Sequence, residues 1–273
     1  MATQENPVFL LTVVFSVVYL PSSTYFFVLA PWLYPYTYYG LLTLAVWLFC
    51  VIMVPINYWL AWRTKPGEVT PDWRKDQSSE SLLEMLETTE EDPQNKECRL
   101  CHCERPARAH HCRRCNRCIL RMDHHCPWIY NCVGFGNQGH FVRLLIYLAM
   151  LCTLTLILIL MRLYALVLVF DNPGSIAISQ TAVIISGINL TILVPLASII
   201  DMLTYNQLRL VLLNITTIED LEIQDNILMG APVANPYNMG WLKNTKAILG
   251  SRVWLWWAPQ AMEGDGKSFH SYR

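Results

Sequence analysis

The sequence predicts an all-α polytopic membrane protein with four transmembrane helices and a cysteine-rich domain between the second and third. Three observations carry this. Hydrophobic residues make up 53% of the 273-residue chain, more than an ordinary soluble domain holds. Apolar residues gather into four runs, at about 8–31, 39–62, 141–169 and 178–200, each near the ~20 residues that cross a hydrocarbon core. Eight of the ten cysteines crowd between Cys98 and Cys132.

The first run contains Pro21; a spanning helix is expected all the same, since bundled neighbours satisfy the backbone groups that a membrane proline frees. A cleaved leader is not expected, because no Lys or Arg precedes Arg63 and the basic flank of a leader is missing. Basic residues set the sidedness. None lie in 1–62 or 171–177, and twelve lie between Arg63 and Arg121, so the segment from 63 to 140 is read as cytosolic. Four spans then place both termini in the cytosol, in agreement with Lys243, Lys246, Arg252, Lys267 and Arg273. The domains read as helices 1 and 2 in 1–62, a linker in 63–97, the cysteine-rich domain in 98–140, helices 3 and 4 in 141–213, and a cytosolic C-terminal region in 214–273.

A net charge of −1 gives no reason to expect a nucleic-acid partner. The asymmetry is local. The stretch 76–95 has seven acids and no base and reads as a solvated connector. Between Arg99 and Arg121 stand seven arginines and one acid, Glu104.

In a cytosolic loop thiols stay reduced, so the cysteines point to metal and not to disulfides. An internal repeat decides how. Cys98, Cys101, His111 and Cys118 form C-x2-C-x9-H-x6-C, and adding fourteen to each number gives Cys112, Cys115, His125 and Cys132 in the same pattern. Each interleaved set offers three thiolates and an imidazole, a complete tetrahedral set for structural zinc. His110 or His124 would ligate instead if the register moved by one. Two all-cysteine sites are a rival scheme, but they need both Cys101 and Cys103 and abandon the repeat. Six thiolates against two dications leave about −2, a charge that some of the arginines offset.

Two filled sites leave His102, Cys103, His110, His124 and Cys126 over. Cys126 begins a third copy of the repeat whose next ligands would be Ile129 and Gly139, so it has no set to join. A thiolate is a nucleophile. The adjacent His124 can take its proton and Asp123 can orient the imidazole. The bland reading, in which Asp123 caps a turn and His124 is solvated, loses ground inside the repeat.

These residues resemble the DHHC protein S-acyltransferases (palmitoyltransferases). The likeness covers the ligand spacing, Asp123-His124-His125-Cys126 with Pro127, Trp128 and Asn131, and the run from Asn137 to Phe141. It also covers Thr216-Thr217-Ile218-Glu219, similar to the family's TTxE motif, and Asn235, Pro236, Tyr237, Gly240, Asn244 and Gly250, similar to its C-terminal motif. Lys65-Pro66-Gly67 stands where the family usually has Asp-Pro-Gly.

The resemblance implies a two-step reaction. Cys126 takes a long-chain acyl group from palmitoyl-CoA as a thioester and passes it to membrane-proximal cysteines of substrate proteins. It implies His124 as base, Asp123 as its orienter, Thr217 as hydrogen-bond partner of Asp123, Trp128 as support, and Asn244 as a brace. It also implies a tail cavity near Leu151 in the third helix, and the endoplasmic reticulum or Golgi as address. A sixteen-carbon tail is roughly 20 Å long, the depth of some thirteen helical residues at about 1.5 Å each. One or two of Arg99, Arg105, Arg108, Arg113, Arg114, Arg117 and Arg121 are expected to touch CoA phosphates. A membrane-anchored adaptor or ligase module of the RING type is the rival function. Such a module ends its ligands with a second C-x2-C, whereas this chain ends on a lone Cys132.

Overall fold

The computed structural model describes residues 18–30, 38–70, 97–170, 180–233 and 235–269. The described residues divide into two compact units, one of 60–70, 97–141, 208–233 and 235–269, the other of 18–30, 38–59, 142–170 and 180–207.

The second unit is helical. Among the described residues three helices are long and apolar enough to cross a membrane. They are α1 (Tyr38–Arg63), α2 (Gln138–Phe170) and α3 (Gln180–Leu213). The first predicted span, 8–31, lies partly outside the described residues; 18–30 is helical and includes a π turn at Tyr25–Leu29. Leu20 shares a core with Cys152, Ile159, Leu193 and Ala197.

Polar pairs tie the helices where hydrocarbon would leave them unsatisfied. The Trp47 indole N–H donates to Thr155 Oγ1 at 3.0 Å, and the Asn189 amide to Ser23 Oγ at 3.0 Å. Apolar side chains such as Ile52, Leu160, Ile184 and Ile199 point outward, as helices solvated by lipid require. Pro55 and Pro195 sit inside α1 and α3 without ending them.

The first unit corrects the all-α expectation, because the cysteine-rich region is built of short antiparallel hairpins and the chain is mostly, not wholly, helical. The hairpins are β1 (Glu97–Cys98) with β2 (Cys103–Glu104), β3 (His110–Cys112) with β4 (Arg117–Ile119), and β5 (His124–Cys126) with β6 (Asn131–Val133). They repeat every fourteen residues. The innermost pairs are Cys98↔Cys103, Cys112↔Arg117 and Cys126↔Asn131. Each four-residue loop ends in a left-handed residue, at His102, Asn116 and Tyr130, with φ of 50°, 51° and 47°. Thus His102, left over in the sequence, supplies a turn, and Cys103 lies buried in β2 opposite Cys98.

Asparagines close the helix ends in this unit. The last carbonyls of a helix have no intrahelical donor. Asn137 donates to Ala61 O at 3.0 Å, and Asn131 to Trp62 O and Thr64 O at 3.0 Å each, at the end of α1. At the end of α3, Asn244 donates to Leu212 O at 2.6 Å and Asn235 to Leu213 O at 2.7 Å. There Asn214 takes φ 53°. Bonds from Ile215 N–H to Leu210 O and from Asn214 N–H to Val211 O complete a Schellman end.

Backbone hydrogen bonds hold the turn at Lys65-Pro66-Gly67. Gly136 N–H donates to Pro66 O and Leu120 N–H to Gly67 O, each at 3.0 Å. The missing acid of the family's Asp-Pro-Gly therefore leaves the turn intact. Two short helices follow α3: α4 (Thr217–Leu228) and α5 (Trp241–Leu249).

Candidate active site

Two groups of ligand atoms stand ready for metal: Cys98, Cys101, His111 and Cys118, and Cys112, Cys115, His125 and Cys132. His111 and His125, not their neighbours, belong to them. Nδ1 of His111 lies 3.6, 3.2 and 3.9 Å from the sulfurs of Cys98, Cys101 and Cys118. Nδ1 of His125 lies 3.6, 3.4 and 3.6 Å from those of Cys112, Cys115 and Cys132. Zinc bonds of about 2.3 Å to sulfur and 2.0–2.1 Å to nitrogen give tetrahedral edges of about 3.5–3.8 Å, so each group has the span for one such ion. Burial, and then the neighbouring sulfurs, push the Cys118 and Cys132 thiols up. Such thiols release their protons together only to a cation.

The hairpins explain how the two sites share the chain. Each cluster takes the first two cysteines from one hairpin, and the histidine and last cysteine from the next. The third hairpin therefore gives His125 and Cys132, cross-strand partners in the β5·β6 ladder, to the second cluster. Its own leading cysteine, Cys126, stays outside both.

Strand geometry then selects the rest. Successive side chains alternate, so His124 and Cys126 share one face of β5 while His125 takes the other. His124 Nδ1 is 2.7 Å from Asp123 Oδ2, which leaves Nε2 as the nitrogen able to exchange a proton with Cys126. Its ring meets Phe141 edge-on at 5.2 Å. Burial alone would lower the His124 pKa; the hydrogen bonds to Asp123 and Cys126 reverse this and raise it to about 9.

Asp123 is fully buried and held from the far side by the first residue of α4. Thr217 N–H donates to Oδ1 at 2.8 Å and the Thr217 hydroxyl to Oδ2 at 2.9 Å. Burial would raise its pKa; the bonds from His124 and Thr217 outweigh this and hold the carboxyl below its ordinary range. A carboxylate on an exposed first-turn N–H also meets the positive end of the helix dipole.

Thr216 and Glu219 form a capping box. Glu219 N–H donates to Thr216 Oγ1 at 3.2 Å, and Thr216 N–H to Glu219 Oε2 at 2.8 Å. The same glutamate receives Arg108 in a two-pronged bond, Nε to Oε1 at 2.6 Å and Nη2 to Oε2 at 2.7 Å. Arg108 also donates to Asn214 O at 2.7 Å. Arg121, fully buried and with its pKa lowered to about 9 by burial and by Arg108, is held by Gln138 and by Asn214 Oδ1, the latter at 3.0 Å.

Arg108 and Arg121 are thus committed inside the protein, which narrows the candidate phosphate ligands among the seven arginines. Arg117 pairs with Glu68 at 2.5 Å; Arg99, Arg113 and Arg114 are exposed. Of the other expected site residues, Asn244 is buried against the end of α3, Trp128 is 49% exposed on the Pro127–Ile129 turn, and Leu151 is buried in the other unit. The sequence did not disclose Arg108 with Glu219. The T-x-x-E spacing announces the capping box, but nothing local announces an arginine 111 residues away.

The profile described as DHHC palmitoyltransferase matches residues 91–224. Probable protein S-acyltransferase 13 of Arabidopsis thaliana is 31% identical over 237 residues, 84% of this chain and 75% of its own length. The chain belongs to the DHHC palmitoyltransferase family. Palmitoyltransferase ZDHHC15 of Homo sapiens is 32% identical over 178 residues, 63% of this chain and 49% of its own. Palmitoyltransferase pfa3 of Aspergillus fumigatus is 36% identical over 129 residues, 45% of this chain and 22% of its own. Within the DHHC segment of this chain, His125 belongs to a set of ligand atoms that could hold a metal, and Asp123, His124 and Cys126 lie outside both such sets.

Proposed function

We propose that this protein is a membrane-embedded protein S-acyltransferase that moves a palmitoyl-type acyl group from acyl-CoA to cysteines of membrane-proximal protein substrates. One observation carries the reading: Cys126 stands outside both ligand sets, and its neighbour His124 is braced by Asp123 at 2.7 Å. In the first step His124 takes the Cys126 proton and the sulfur attacks the thioester carbonyl. The CoA sulfur leaves and receives that proton. In the second step a substrate thiol gives its proton to His124 and attacks the acyl-Cys126 thioester, and the Cys126 thiolate leaves.

Zinc is the ion that the two three-sulfur, one-imidazole sets fit, and it would cross-link consecutive hairpins with no part in the bond changes. Cys98, Cys101, His111 and Cys118 would hold one ion, and Cys112, Cys115, His125 and Cys132 the other. Thr217 orients Asp123, Asn244 braces the end of α3, and Trp128 belongs to the exposed rim of the site. Leu151 limits the acyl tail. Its replacement by Ala and by Phe should shift the acyl-chain preference toward longer and shorter donors; identical profiles remove it from this role. The basic-residue count favours a cytosolic cysteine-rich region; four spans, read from the apolar runs, then place both termini on that side too, and the resemblance to the family implies the endoplasmic reticulum or Golgi as the address.

Purified protein given palmitoyl-CoA should carry a hydroxylamine-sensitive acyl group on Cys126. The Cys126→Ser variant should lose the acyl group and keep two zincs per chain, whereas Cys132→Ala should lose metal. Loss of zinc in Cys126→Ser with acylation retained elsewhere would overturn the assignment.

A further inference from the structure

The C-terminal segment of the first unit touches the network that holds Asp123. Glu263 N–H donates to Ala247 O at 3.0 Å. A Cβ on Gly266 would stand 2.5 Å from the Phe135 ring, so the segment lies flush on that ring. Asp265 accepts from the Lys267 and Ser268 N–H groups at 2.8 Å each and from the Ser268 hydroxyl at 3.2 Å. Past this turn, the Phe269 ring lies 4.9 Å from the guanidinium carbon of Arg108, and Tyr237 covers the same guanidinium at 4.2 Å. The two rings meet edge to face, 6.0 Å apart at 70°, and form an aromatic corner around one cation.

We infer that Phe269 is a positioning residue for acyl transfer: its ring holds and dries the Arg108 guanidinium, and Arg108, through Glu219 and the first turn of α4, fixes Thr217 on Asp123. The inference rests on Cys126 being the acyl carrier. Arg108 is 5% exposed, and its fork to Glu219 gains strength from the exclusion of water. Glu219 closes the capping box that sets the start of α4. That start delivers Thr217 N–H and hydroxyl to Asp123 at 2.8 and 2.9 Å, and Asp123 holds His124.

A tail that merely filled a groove would ask for an apolar side chain at 269. The aromatic corner asks for a ring, because the face of a ring attracts a cation and an aliphatic side chain does not.

The experiment compares wild type with Phe269→Leu, Phe269→Tyr and Phe269→Trp in the full chain. It reads the single-turnover rate of Cys126 acylation, the dependence on palmitoyl-CoA, zinc content, melting temperature and amide exchange at Thr217. Phe269→Leu should slow acylation by about threefold to tenfold, the range a cation–π contact supports at tenfold per 1.36 kcal/mol. Half-saturating palmitoyl-CoA and two zincs per chain should be unchanged, and the Thr217 amide should exchange faster. Phe269→Tyr and Phe269→Trp should restore both rate and protection.

Wild-type rates and Thr217 protection in Phe269→Leu would overturn the inference. So would a loss that tracks melting temperature and zinc in all three variants alike. Absence of acyl-Cys126 in wild type would instead sink the enzymatic reading, and Thr217 exchange would still decide whether Phe269 governs the turn.

Discussion

Asp123 is the residue on which the site turns, since one buried carboxylate receives His124 from one side and two donors of Thr217 from the other. Thr217→Val removes the hydroxyl and keeps the backbone donor. A hydrogen bond to a charged group contributes about 1.5–3 kcal/mol, so the Cys126 acylation rate should fall roughly tenfold to a hundredfold. A rate within twofold of wild type would mean that the backbone N–H alone suffices. Gly136 offers a test of the scaffold and not of the chemistry. A Cβ there would stand 2.1 Å from Lys65 O, and the contact is backbone, which cannot swing aside. Gly136→Ala should therefore lower stability by about 1–3 kcal/mol, read as the melting temperature of the zinc-loaded protein. An unchanged melting temperature would show that the Lys65-Pro66-Gly67 turn yields at little cost.

At the scale of elements, the ends matter more than the middles. The spans need only apolar composition, which is why α1, α2 and the start of α3 were legible in the sequence to within a few residues, while α3 runs on to Leu213, well past the end of its apolar run near 200. Their ends needed four asparagines that lie far along the chain, and no periodicity displays those pairings. Asn244 was recognised only through its resemblance to a motif; the structure gives it a reason, the carbonyl of Leu212. Asn137→Ala would leave the Ala61 and Cys132 carbonyls, both accepting its amide, without that donor. It should cost about 1–3 kcal/mol, and an Asn137→Ala variant with wild-type melting temperature would show that other donors replace it. The start of α4 makes a pH prediction. Burial would raise the Glu219 pKa, but the bonds and charge of Arg108 outweigh it and hold it below the ordinary value. Its folded pKa is depressed, so its contribution is fully present above the unfolded value of about 4.3 and fades as pH falls through the folded one. Compared with the permanently neutral Glu219→Gln, wild type should protect the first-turn amides of α4 by a constant margin above about pH 5 and by a shrinking one below about pH 4. A margin that holds at about pH 3 would mean that the Arg108 fork does not depend on the carboxylate charge.

Among the described residues both ligand clusters lie in the first unit and none in the helical one, so on the zinc reading the two should answer differently to metal. Chelation should abolish Cys126 acylation and free the amides of the three hairpins to exchange, with the far-ultraviolet signal of α1, α2 and α3 nearly intact. Collapse of the helical signal in step with zinc loss would refute that independence. The sequence disclosed both ligand sets by their offset of fourteen. It left Arg108 unread because its value lies in Glu219 and Phe269, which only the folded chain brings near. The same offset recurs in the backbone through all three hairpins and stops there, with Cys126 in the place that Cys98 and Cys112 hold in the first two. On the proposed reading, catalysis has the logic of an interrupted count: the last unit of the series keeps a leading thiol, has no successor to share an ion with, and would meet an acyl donor instead. The buried Ile129 fills the position that Cys101 and Cys115 occupy earlier. Ile129→Cys would resume the count, and should make acylation sensitive to added zinc at concentrations that leave the natural protein active; equal sensitivity would mean that Cys126 does not face position 129.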